Sequence, residues 1–141
     1  MRTRTILACL CALPAVVGSA CAGDSFEPIV PCSDDQTVVV SVSPGTKPRF
    51  TWQPACGMAS LEVWPAAGPP AAWVLYSGPR AAANPLPSGI RYGEPPSVAV
   101  EPAPPAALSA GVTYRVTVLR WIGAAGGPGS LFPRGEATFS P

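Results

Sequence analysis

The 141-residue chain has no histidine, and only 12% of its residues are charged. A serine or cysteine triad of the usual kind needs an imidazole to activate its nucleophile, so that chemistry is excluded. Sparse charge and abundant breakers exclude a coiled coil, which is rich in Glu, Lys and Arg and poor in proline. Proline and glycine together fill 34 positions, 20 and 14 respectively. No apolar pattern of period 3.6 persists after the first twenty residues, so no long amphipathic helix is predicted. Acidic residues are scattered singly apart from Asp34-Asp35. They form no evident carboxylate pair for glycoside cleavage. Two adjacent carboxylates also fall short of the roughly six to eight oxygens that calcium takes. No glycine-rich loop opens a helix, so a phosphate-binding loop is absent as well.

What is present begins with an address. Met1-Arg2-Thr3-Arg4 carries two positive charges, Ile6 to Val17 is apolar and uncharged, and Gly18-Ser19-Ala20 precedes Cys21. A basic start, an apolar middle and small residues are the layout of a secretory signal, here a predicted helix over 1–20. The apolar run is shorter than the roughly 20 residues that a membrane-spanning helix needs. Ser19-Ala20-Cys21 resembles the end of a bacterial lipobox, in which the cysteine after the cleavage site receives lipid. Gly18 stands where that pattern usually has Leu, which leaves ordinary cleavage nearby open. The resemblance implies lipid attachment at Cys21, a tether over 21–35 and a folded domain over 36–141. The protein is then expected in the cell envelope, held to a membrane on the periplasmic side or at the cell surface.

Removing 1–20 leaves Lys47 and six Arg against eight acidic residues, a net charge of −1. Neither a nucleic-acid footprint nor a polybasic membrane patch is built from that balance. Cys32 and Cys56 are the cysteines left after Cys21, and in an oxidising compartment two such thiols are expected to form a disulfide. Two thiolates without histidine complete a tetrahedral zinc shell only if carboxylates fill in.

The mature chain reads as short strands. QTVVVSVS (36–43) is β-branched and stops at Pro44-Gly45; RFTWQ (49–53) alternates, with Phe50 and Trp52 on one face. Folding these two runs about Thr46 sets Gln36 opposite Cys56 and brings Cys32 within reach. LEVW (61–64) and AWVLYS (72–77) follow, then a proline-rich stretch over 78–107 in which 90–92 and 97–101 are predicted as short strands. VTYRVTVLRWI (112–122) is the clearest strand, GAAGGPGS (123–130) reads as a flexible loop, and GEATFS (135–140) closes the domain. About seven strands with turns between them predict an all-β, antiparallel two-sheet sandwich.

Leu108-Ser109-Ala110-Gly111-Val112-Thr113-Tyr114-Arg115-Val116-Thr117-Val118 resembles the sixth strand of a fibronectin type III domain. The resemblance implies that the Tyr114 hydroxyl bonds to backbone a few residues upstream, as a tyrosine corner. Phe50-Thr51-Trp52-Gln53-Pro54 resembles the second strand, with Trp52 buried. The chain is also similar to a group of small exported bacterial proteins, through Phe50-Thr51-Trp52 with Cys56, Trp73, Ile90-Arg91-Tyr92-Gly93 and Thr113-Tyr114-Arg115-Val116.

Trp52, Trp73, Tyr114 and Phe139 are expected in the core, where aromatics dominate the energetics of small domains. Trp64, Tyr76, Tyr92 and Trp121 fall at strand ends or on the opposite parity. They are candidates for a binding surface, although sandwich ends collect such residues for packing too. Arg115, Arg120 and Glu62 are assigned to a solvated face. Arg134-Gly135-Glu136 approaches the integrin tripeptide but carries Glu for Asp, and is set aside. The expectation is a non-catalytic envelope lipoprotein, an interaction or structural module that needs no cofactor. Its binding surface would be the loop at 124–130 with Trp121 and the proline-rich middle, and its partner an envelope protein. The alternative is a carbohydrate-binding module stacking sugars on Trp64, Tyr76 or Trp121; a planar exposed row of these rings separates the two.

Overall fold

The structure, a computed structural model, describes residues 26–124 and 127–141. The predicted signal helix and Cys21 lie outside them. Seven strands form: β1 (Val39–Val42), β2 (Arg49–Gln53), β3 (Ser60–Pro65), β4 (Trp73–Tyr76), β5 (Ile90–Arg91), β6 (Tyr114–Gly123) and β7 (Gly129–Phe139). They make two antiparallel sheets, ordered β1-β2-β5 and β4-β3-β6-β7.

Alternation builds both layers. Phe50 and Trp52 from β2, Leu61 and Val63 from β3, Leu75 from β4 and Val116 and Val118 from β6 are all fully buried in one core. Each such side chain contributes about 1.5–3 kcal/mol on burial. Val39 pairs with Gln53, so a turn centred on Thr46 sets the predicted register. The first strand is shorter than predicted because the chain changes sheets: Val38 N–H donates to the Arg134 carbonyl of β7 at 2.8 Å, and only from Val39 does it pair with β2.

Three regions depart from the sequence reading. The segment 97–101 is not a strand; a turn at Ser97-Val98 leaves only Val100, which bridges Tyr76 at the free edge of β4. Six residues, Gly78–Ala83, wind into a 3-10 helix with Pro79 in its first turn. The last strand runs longer than predicted: β7 starts at Gly129, inside the stretch read as a loop, whereas β6 keeps close to its predicted bounds. Pro133 and Gly135 break the β signal there. The ladder accommodates them with a bulge: Leu119 faces Pro133 and Val118 faces Gly135, so Arg134 is the extra residue. Its carbonyl, turned out of the ladder, is the one that receives Val38. A Cβ on Gly135 would lie 2.6 Å from the Val38 carbonyl oxygen, so this crossing admits only glycine.

Candidate functional site

Cys32 and Cys56 are joined in a disulfide, with their Cα atoms 5.7 Å apart. The bond is one of several fastenings at the end of the sandwich where the described chain enters. Val30 N–H donates to the Ala55 carbonyl and Glu27 N–H to that of Ser88, both at 3.0 Å. Gln53 donates its amide to the Glu27 carboxylate at 2.8 Å. The Trp52 indole N–H holds the Cys56 carbonyl from inside the core at 2.7 Å. Arg120, assigned to a solvated face by sequence, instead shares the parity of the inward residues Val116 and Val118. Its guanidinium donates to the carbonyls of Cys32 at 3.0 Å and Ser33 at 3.3 Å. Between these parts lies a cavity of about 300 Å³ lined by Ile29, Val30, Gly57, Asn84 and Arg120, among others.

Asn84 was not legible as important. Its backbone is left-handed, φ 48°, at the C-terminus of the 3-10 helix. Its amide then takes the place of a strand: Trp121 N–H donates to Oδ1 at 2.7 Å, and Nδ2 donates to the Trp121 carbonyl at 3.1 Å. β3 stops pairing with β6 at Leu119, and one side chain continues its hydrogen bonding. Asparagine before Pro85, after an alanine run, was the available signal, since asparagine is the residue other than glycine that visits this conformation readily.

The three candidate platform rings share the outer face of the four-stranded sheet but not one row. Tyr76 stands in one row with Ser60 and, beyond it, Leu119; Trp64 is opposite Arg115, and Trp121 opposite Leu131. Trp64 donates its indole N–H to Glu62 at 3.1 Å. Trp121 lies over Gly129, where a Cβ would come within 2.5 Å of the indole. The Trp121 indole nitrogen is buried without a partner. Tyr76 is about two-fifths exposed and bonded through its backbone to Val100.

Tyr92, also a surface candidate by sequence, is buried. Alternation explains it: Ile90 and Tyr92 share a parity, and Ile90 is fully buried. The hydroxyl lies 2.8 Å from the Ala106 carbonyl and 3.0 Å from that of Ala72, fixing the proline-rich segment beside β4. Its ring packs on Trp73 and Phe50. Burial pushes its pKa up to about 12, with the neighbouring Tyr114 adding to the shift. A tyrosine in the unfolded chain ionises near 10. Its contribution is therefore present below about pH 10 and lost as pH rises through 12, since the unfolded chain gives up its proton first. The urea midpoint is expected to fall across that window, and Tyr92→Phe to flatten the fall; an unchanged slope in the variant contradicts the assignment.

Tyr114 is buried, stacks on Phe139 at 5.7 Å, and accepts the N–H of Ser109, five residues upstream, at 3.0 Å. The hydroxyl acts here as acceptor. Ser33 donates to Asp35 at 2.6 Å, and that bond holds the exposed carboxyl below its usual range. Among the described residues no group of three or more histidine, cysteine or acidic side chains is placed to hold a metal, and no helix is long and apolar enough to cross a membrane. The chain matches no family model, no curated protein and no solved structure.

Proposed function

We propose that this chain is a cell-envelope lipoprotein whose folded part is a fibronectin type III-like sandwich, acting without catalysis as an interaction or structural module. The observation that carries the reading is the fastening of the entering chain: a disulfide and backbone bonds lock 27–32 to the core, which suits a domain held by its N-terminus in an oxidising compartment. The strand order supports the family. Immunoglobulin constant-type sandwiches are laid out as ABED and CFG. Lettering β1, β2, β3, β5, β6 and β7 as A, B, C, E, F and G leaves β4 beside β3, on the second sheet, as in the fibronectin type III variant. Cys21 is the attachment point in this reading, and its acyl chains supply membrane affinity at about 0.8 kcal/mol per buried methylene.

Mass analysis of protein from the membrane fraction is expected to show acyl chains on an N-terminal Cys21. A soluble mature protein beginning elsewhere contradicts the anchor. Cross-linking in intact envelopes followed by identification of the adduct tests the interaction role, with one recurrent envelope protein as the expected result; recovery of glycan alone favours sugar binding.

A further inference from the structure

We propose that the end of the sandwich where the chain enters lies against the bilayer, with Phe26, Ile29, Val30, Leu131 and Phe132 as its lipid-contacting side chains; the inference rests on reading Cys21 as acylated. Two independent observations meet at this end. The first is reach. Four residues lie between Cys21 and Phe26, and the five residue-to-residue steps span about 17 Å at most. The ten-residue strand β6 alone is about 33 Å long. The fastenings at Glu27, Val30 and Cys32 leave no further slack, so the entering end is the part nearest the anchor.

The second observation is an asymmetry of exposed apolar surface. Eight large apolar side chains stand out as exposed among the described residues. Phe26, Ile29 and Val30 belong to the entering segment, each 37–47% exposed. Val39 pairs with Gln53, whose amide holds Glu27. The β6–β7 hairpin reaches the same end through Arg120, which grips Cys32 and Ser33, and Phe132 stands directly opposite Arg120. Leu131 and Phe132 there are 41% and 44% exposed. The remaining two, Tyr76 and Val100, bridge each other along β4. The turns at the opposite end contribute none. A monomeric domain rarely gathers its apolar exposure at one pole without a partner for it. A net charge of −1 after cleavage gives no attraction to anionic headgroups, so the contact is apolar. One consequence is an orientation: the turns at 43–48, 65–72, 91–94 and 109–113 point away from the membrane, where a partner meets them.

The test uses the full mature lipoprotein in phosphatidylcholine–phosphatidylglycerol vesicles, with a nitroxide on an added cysteine at Leu131→Cys or, in the opposite turn, Lys47→Cys. Relaxation by oxygen, which partitions into lipid, is compared with relaxation by a water-soluble nickel chelate. The ratio is expected to be several-fold higher at 131 than at 47. Equal ratios on a sample whose mass shows acylated Cys21 overturn the inference and leave the anchor standing. A missing acyl adduct removes the anchor reading, and the inference with it. Spin–spin broadening at 131 that disappears on dilution with unlabelled protein assigns the surface to a second copy and also overturns it.

Discussion

Replacing both Cys32 and Cys56 by alanine is expected to lower the unfolding free energy by about 3 kcal/mol, the loop-closure contribution of a loop of about this length. The sequence separation is 24 residues. Alanine is the informative replacement because Cys56 is fully buried, and serine would add an unmet hydroxyl. The effect is large for a domain whose total stability is of the order of 5–15 kcal/mol. It also carries a spatial signature. Without the bond, hydrogen bonds alone hold the entering segment, those from Val30, Glu27, Gln53 and Arg120, so its amides exchange first. Urea denaturation of the oxidised protein and the double variant, with amide exchange of both, measures this. Coincident midpoints contradict it.

Gly57→Ala is expected to cost about 3 kcal/mol, the upper part of the range for overpacking. A Cβ at 57 would stand 2.1 Å from the Asn84 carbonyl oxygen and 3.2 Å from a methyl carbon of Ile29. The first neighbour is backbone, held by the left-handed turn that ends the 3-10 helix, so nothing flexible yields. Displacing Asn84 would also disturb its paired hydrogen bonds to Trp121. The variant is thus expected to loosen β6 beyond Leu119 as well as lower the thermal midpoint. A wild-type midpoint for Gly57→Ala contradicts this packing.

What the sequence disclosed follows from how local each signal was. β2 was read at its observed bounds because Phe50 and Trp52 alternate cleanly with polar neighbours and turns bracket the run. Once the turn at 44–48 was placed, the β1–β2 register and the reach of Cys32 to Cys56 were matters of counting. The missed parts depend on contacts distant in the chain. Val98 and Val100 imitate a strand, but Pro95 and Pro96 lead into a turn and Val100 finds a single partner. Arg134 has no local signal for a bulge, because the need for it arises from Val38 crossing between sheets. Arg120 looks like a surface charge until the entering segment arrives with two carbonyls for it. Trp64, Tyr76 and Trp121 were read at strand ends or on the opposite parity; that they share one sheet face but not one row depends on cross-strand register. Tyr92 was the avoidable error: its own alternation with Ile90 pointed inward.

The proline-rich middle, draped along β4 through Tyr76–Val100 and Ala72–Ala106, bears on how these domains behave in company. An open strand invites a neighbour's backbone, and sandwiches left with bare rims polymerise. Here one rim is covered by a segment rich in residues that cannot donate, the other carries Pro133, and Val38 stitches the first strand across to the last. Molecules confined to a shared plane collide sideways far more often than in free solution. If the anchor proposed at Cys21 holds these domains in such a plane, the covered rims would let them pass one another as individuals.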